Sequence, residues 1–140
     1  MNSNNKLFFA SSGFQSAGFL NLTPKEAYYE TQNNAILVDV REEELTGYKQ
    51  FDVPKTIFLP ISLITEKFSE LPGDKPVIIA DSAGLRSKEA MIFLAGKNFK
   101  NIANLAGGLV EWERDGLPLL INPKEKLDGS CVCQLKPRTK

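Results

Sequence analysis

Four short apolar runs, each four or five residues long and separated by segments suited to helices, restrict what this chain can fold into. They are Ala-Ile-Leu-Val-Asp at 35–39, Thr-Ile-Phe-Leu at 56–59, Val-Ile-Ile-Ala at 77–80 and Asn-Ile-Ala-Asn-Leu at 101–105. Runs this short without polar alternation are expected of strands covered on both faces. Between them, Thr23 suits an N-cap, Pro24 the first helical position and Glu26 the third residue of a capping box. That helix runs to about Glu30, and Asn33 and Asn34 close it. The acidic stretch 41–45 suits a short helix, and a longer one is expected from Pro60 to Glu70. Residues 71–76 read as a turn. Ala90, Phe93, Leu94 and the stem of Lys97 space out an amphipathic helix over 86–98. A last helix follows Gly107-Gly108, carries Val110 and Trp112, and stops at Gly116. Strands alternating with helices give an α/β domain: a small, mainly parallel sheet with helices on both faces.

The 140 residues are expected to form one domain with two ends: an N-terminal arm over 1–20, the α/β domain over 21–120 and a tail over 121–140. Phe8, Phe9, Phe14 and Phe19 would pack the arm on the domain, since disordered tails are poor in aromatics. Residues 122–140 hold five basic groups and two acidic ones, net +3. Such a tail is either solvated, or docked on an acidic partner or on its own body. The longest apolar runs fall far short of the ~20 residues that span a bilayer. The Leu-Phe-Phe-Ala stretch after Lys6 is too short for a secretory core. A soluble, reducing, cytoplasmic setting is therefore expected.

Charge and residue usage remove several function classes. Lys plus Arg is 17 and Asp plus Glu is 17, so no net cationic field favours nucleic acid or an anionic membrane. Histidine is absent, which removes imidazole bases and imidazole metal ligands. No cofactor or resident metal is expected. Cys131 and Cys133, one residue apart, cannot staple a fold. Three uses stay open for them: an inert tail, a redox or sulfur-relay pair, or a soft metal captured jointly with another chain. Ten residues beyond Ile121 reach at most ~35 Å, against a domain radius of gyration near ~13 Å. The tail thiols are thus within reach of the domain's loops.

In open parallel sheets, ligands bind beyond the carboxyl ends of strands. The segment 77–87 has that form: a buried strand, the small-residue loop Asp81, Ser82, Ala83, Gly84, Leu85, Arg86, and a helix opening at Ser87. Successive loop N–H groups with a helix N-terminus behind them make an anion-binding concavity, and Arg86 adds a forked cation. The other reading is a strand-to-helix turn capped by Asp81 or Ser82.

Several stretches together resemble a known family. Ile-Leu-Val-Asp-Val-Arg-Glu at 36–42, Gly-Leu-Arg-Ser at 84–87, Asn-Ile-Ala-Asn-Leu-Ala-Gly-Gly-Leu-Val-Glu-Trp at 101–112 and Asp-Gly-Leu-Pro at 115–118 look like a single-domain rhodanese. The likeness covers residues 22 to 120. It implies a small parallel sheet flanked by helices, and transfer of sulfane sulfur from thiosulfate or a persulfide to a thiophilic acceptor. Catalytic members open a six-residue loop with cysteine and end it with Arg; counting back from Arg86 puts that cysteine position at Asp81.

A persulfide needs a polarizable thiolate. A carboxylate does not supply one, and Ser82 has no base to activate it. Asp81 is also expected to fill the cradle with its own charge, and noncatalytic rhodanese domains are similar in often carrying Asp at this position. Phosphatases with a related fold use a seven-residue loop, so phosphoester hydrolysis is disfavoured. Around Phe-Asp-Val-Pro at 51–54, Asp52 and Lys55 replace the His and Gly of the family's His-Ile-Pro-Gly, and the segment reads as a structural turn. Asp39 and Arg41 resemble the family's Asp-x-Arg pair, either as an ion pair tying a strand end to its neighbours or as a ligand contact. The expected function is a catalytically silent binding or regulatory module, its partner a protein or a small anion or sulfur donor. The alternative is a sulfurtransferase or persulfide carrier using Cys131 or Cys133.

Overall fold

The computed structural model describes Phe9, residues 13–16 and residues 18–125. Its main sheet has six strands: β1 (Phe14–Ser16), β2 (Phe19–Leu22), β3 (Ile36–Asp39), β5 (Thr56–Phe58), β6 (Val77–Ala80) and β7 (Ile102–Leu105), in the order β1-β2-β7-β6-β3-β5. All neighbours are parallel except β1 and β2, which form an antiparallel hairpin at one edge. A separate antiparallel pair joins β4 (Lys49–Phe51) to β8 (Leu119–Ile121). The helices are α1 (Pro24–Gln32), α2 (Glu43–Thr46), α3 (Ile64–Lys67), α4 (Arg86–Gly96) and α5 (Gly108–Arg114). This is the expected α/β class.

Successive strand residues point to opposite faces, and the core divides accordingly. Leu37, Ile78, Ala80, Ala103 and Leu105 pack under α1 and α5, against Ala27, Leu109 and Trp112. Ile36, Val38, Val77 and Ile79 face the other way, against Ile64, Ala90, Met91 and Leu94 of α3 and α4. Helices on both faces explain why these strands carry no polar alternation.

Trp112 anchors the first face. It is wholly buried, donates its indole N–H to the Pro118 carbonyl at 2.8 Å, and meets Tyr28 and Phe51 edge-on at 5.8 and 5.1 Å. Asp52 N–H reaches the same Pro118 carbonyl at 3.2 Å, which fastens the turn at 51–54 to the end of the α5 unit. The capping box of α1 forms as the sequence predicts: Glu26 N–H donates to Thr23 Oγ1, and Thr23 N–H donates to a Glu26 carboxylate oxygen.

The structure corrects four expectations. The run at 56–59 is not covered on both faces: β5 is the sheet edge, Phe58 is exposed, and only Leu59 beyond it is buried. The helix expected over 60–70 is broken into α3 flanked by 3-10 turns at Ile61–Leu63 and Phe68–Glu70. On α4 the buried side chains are Ser87, Ala90, Met91 and Leu94, while Lys97 lies beyond the helix over the Phe68 and Phe93 rings. Strands β1, β2, β4 and β8 add to the four read from the sequence. Phe9 is buried in the core and Phe14 is exposed; Phe8 lies outside the described residues. No helix among the described residues is long and apolar enough to cross a membrane.

Trp112 is the chain's single tryptophan. Trp112→Phe, which loses the bond to Pro118 and part of the packing, is expected to cost about 2 kcal/mol in urea unfolding followed by circular dichroism. The Thr23 backbone N–H holds the Glu26 carboxyl below its ordinary pKa, outweighing slight burial. A depressed folded pKa means the contribution is present above the unfolded carboxylate pKa of about 4.3 and lost as pH falls through the folded value. Glu26→Gln keeps an acceptor without a charge. Its stability gap from the parent chain is expected at neutral pH and should close below about pH 4, read from melting temperatures across pH.

Candidate functional site

The site lies where β3, β6 and β7 end together. Strand β6 delivers Asp81 to the top of the sheet, and the chain turns through 82–85 into α4. Asp81 is 3% exposed, and its carboxylate is enclosed by its own loop. Gly84 N–H donates to Oδ1; Arg86 N–H and Ser87 N–H donate to Oδ2 at 2.6 and 3.0 Å. The N-cap residue Leu85 makes no side-chain cap bond, so the Asp81 carboxylate serves as the cap of α4 from five residues upstream. The two readings of this loop, anion cradle and capped turn, are one object: the anion in the cradle is the protein's own side chain.

The Gly107-Gly108 pair clamps the loop from the β7 side. Leu109 N–H donates to the Asp81 carbonyl at 2.9 Å, and Val110 N–H to the Ser82 carbonyl at 3.0 Å. Gly108 has φ +59°, and a Cβ there would stand 2.5 Å from the Asp81 carbonyl oxygen. A side chain is excluded twice, by conformation and by space. Gly84, at φ +88°, packs its backbone against Gly107 in the same way.

Beneath the loop runs a buried polar chain. Ser87 Oγ–H donates to Asn104 Oδ1, Asn104 Nδ2 donates to Asn21 Oδ1 at 2.8 Å, and Asn21 Nδ2 donates to the Phe19 carbonyl at 3.0 Å. Polar groups this deep are costly unless partnered, so the chain fixes α4 to β7 and β2. Ser87 was legible as the residue opening the helix. Asn104 and Asn21 were not read as part of the site, because one lay within an apolar run and the other just before the helix cap.

Asp39 and Arg41 pair with each other. Arg41 Nη2 lies 2.7 Å from Asp39 Oδ2, Nε donates to both carboxylate oxygens, and Nη2 also reaches the Lys49 carbonyl at 2.7 Å. Both side chains are nearly inaccessible. Arg41 thereby ties the end of β3 to β4, and its guanidinium lies over Phe51 at 5.6 Å.

Above the loop opens a cleft of about 210 Å³, lined by Val40, Arg41, Glu42, Leu45, Ile61, residues 81–83, Leu85 and Arg86. Ser82, Ala83, Leu85 and Arg86 are exposed, whereas Gly84 is buried. Arg86 makes no side-chain hydrogen bond or ion pair among the described residues. Leu45 and Ile61 carried no sequence signal, since single aliphatic residues outside a motif look like core. Cys131 and Cys133 lie outside the described residues.

Comparison with known proteins agrees with this architecture. Residues 23–115 match the family described as the rhodanese-like domain. The chain is 32% identical over 102 residues to a thiosulfate sulfurtransferase, GlpE, of Haemophilus influenzae, covering 72% of this chain and 94% of that one. Among solved structures, a rhodanese-related protein from Thermoplasma volcanium superposes with a TM-score of 0.65 at 27% identity, covering 73% of this chain and 98% of the other. The polysulfide-sulfur transferase homodimer from Wolinella succinogenes gives 0.64 at 27% identity, with 85% of each chain covered.

Asp81→Ala would leave three loop N–H groups without their acceptor. The expected loss is about 3 kcal/mol in denaturant unfolding, at the upper end for a single buried charged acceptor. Hydrogen exchange at Gly84, Arg86 and Ser87 should speed up before that of the β6 amides.

Proposed function

The chain belongs to the rhodanese-like domain family, and from that premise we propose that it is a non-catalytic member, a binding or regulatory module rather than a sulfurtransferase. The observation that carries this reading is the Asp81 carboxylate, buried at the position where the family resemblance places the nucleophile and accepting N–H groups from Gly84, Arg86 and Ser87. Sulfur transfer at this position needs an atom that attacks a sulfane sulfur, expels its leaving group and then holds the sulfur as a labile persulfide. A carboxylate oxygen is a poor partner for sulfur and forms no persulfide.

Occupancy supports the same reading. An incoming thiosulfate would have to displace a tethered carboxylate whose effective concentration at those donors far exceeds any free anion's. Asp39 and Arg41, which resemble a functional pair, spend their charges on each other and on backbone carbonyls. In this proposal they hold the scaffold rather than a ligand. The related GlpE protein is named for thiosulfate sulfur transfer; this chain keeps that protein's frame and lacks a thiol within the loop.

The direct test is a thiosulfate-to-cyanide assay on the full chain carrying Cys131→Ser and Cys133→Ser, so that any turnover arises from the loop. No turnover above the uncatalysed rate is expected; robust turnover overturns the proposal. In the same background, Asp81→Cys places a thiol among the loop donors and is expected to restore measurable thiocyanate formation. A folded but inactive Asp81→Cys chain counts against the cradle having kept the family's geometry.

A further inference from the structure

We propose that the chain's own C-terminal segment, residues 126–140, folds back onto the cleft above the Asp81 loop and covers it. The segment lies outside the described residues, and its sequence is Lys-Leu-Asp-Gly-Ser-Cys-Val-Cys-Gln-Leu-Lys-Pro-Arg-Thr-Lys. The place where the described chain ends selects this occupant. Strand β8 runs beside β4 with Ile121 opposite Lys49, and Asn122 N–H donates to the Tyr48 carbonyl at 2.8 Å. Tyr48 stands two residues beyond Thr46, where α2 ends. The Arg41 guanidinium reaches the Leu45 carbonyl at 3.4 Å and the Lys49 carbonyl at 2.7 Å. One side chain thus joins a wall of the cleft to the ribbon from which the segment departs. Paired strands lie ~5 Å apart, and the six residues from Glu125 to Cys131 extend to about 20 Å. The cleft is within that reach.

Charge complementarity points to the same occupant. Lys126, Lys136, Arg138 and Lys140 against Asp128 give the segment a net charge of +3. Around the cleft, Asp39 neutralises Arg41, and the Asp81 and Arg86 charges offset one another in the lining. Glu42, Glu43 and Glu44 remain. The Glu42 carboxylate lines the cleft and accepts from neutral donors, Ser62 N–H at 3.2 Å and Ser62 Oγ–H at 2.9 Å. Glu43 and Glu44 are exposed and have no ion-pair partner among the described residues. Three carboxylates repel an acidic segment and attract a basic one. The segment's charges lie in its flanks, since Gly-Ser-Cys-Val-Cys-Gln-Leu at 129–135 is uncharged. That stretch suits the aliphatic lining of Leu45, Ile61 and Leu85, the last 72% exposed, and keeps cations away from Arg86. The basic cluster at 136–140 is then left for the α2 carboxylates. A tether this short gives an effective concentration in the millimolar range, so weak contacts suffice. The inference goes beyond the non-catalytic reading and stands whether or not the loop is catalytic.

The test is nuclear Overhauser spectroscopy on the isotope-labelled full chain, at low salt under reducing conditions. Contacts are expected between the methyl protons of Val132 or Leu135 and those of Leu45, Ile61 or Leu85. Reversing Lys136→Glu, Arg138→Glu and Lys140→Glu together should abolish these contacts and move the amide resonances of residues 82–86. That variant alters no described residue, so a misfolded domain is not a route to the same result. Adding Glu43→Lys and Glu44→Lys to it should restore the contacts, because the swapped charges attract again; loss without restoration overturns the pairing with α2. Absence of contacts in the parent chain, or contacts unchanged by the charge reversal, overturns the inference. Contacts between differently labelled chains in an equal mixture would place the segment on a second copy and overturn it as well. The non-catalytic reading is tested by thiocyanate formation in a chain without the terminal thiols, so the two failures are distinguishable.

Discussion

The carboxylate of Asp81, enclosed by its own loop, organises the functional end of this protein. A charge that is 3% exposed is tolerated only when its lone pairs are taken up. Three backbone donors from a single turn do this while α4 begins above them. The side chain is simultaneously the helix cap, the closure of the loop and the occupant of the cradle. Few single residues fix so much local geometry.

That arrangement depends on backbones approaching one another more closely than side chains permit. Gly108 meets the Asp81 carbonyl where no Cβ fits, and Gly84 lies against Gly107. The loop is held from above by this contact and from below by the chain Ser87, Asn104, Asn21. The second connection reaches β2, a strand contributed by the N-terminal region. The edge hairpin β1–β2 is thus coupled to the site through buried polar groups, while its hydrophobic contribution to that core comes through Leu22 and Leu20.

The central fold was legible because β3, β6 and β7 are short, mostly apolar strands buried on both faces, each leading into a helix. Thr23-Pro24 and Gly107-Gly108 marked α1 and α5 by capping and by glycine. What the sequence hid was the periphery. Strands β1, β4 and β8 are only three residues long; β1 and β4 carry no apolar run, and β8, though Leu-Leu-Ile, is too short and too exposed to stand out as a strand. The composition of β5 suits a buried strand, although an edge strand can be equally apolar when one end packs on the core. At the site, 81–87 stood out through its small residues and Arg86. The Asn104–Asn21 link and the cleft walls did not, since pairing of residues far apart in sequence leaves no local trace.

A scaffold that keeps its sheet, its glycine clamp and its loop, but carries a carboxylate in the loop, has its remaining freedom on the outer surface. Asp81 uses the donors inside the cradle, and Asp39 neutralises Arg41, so neither buried charge is left to recognise a ligand. In the non-catalytic reading proposed above, recognition comes from groups that fold stability does not consume. On this face those are Leu85, Val110 and Arg86, whose side chains project from positions fixed by backbone bonds: Arg86 by its N–H on Asp81, Val110 by its N–H on Ser82, and Leu85 at the N-cap of α4. With the backbone at these positions already fixed, covering them orders side chains only. The same carboxylate that closes the loop therefore also fixes where these outer side chains start.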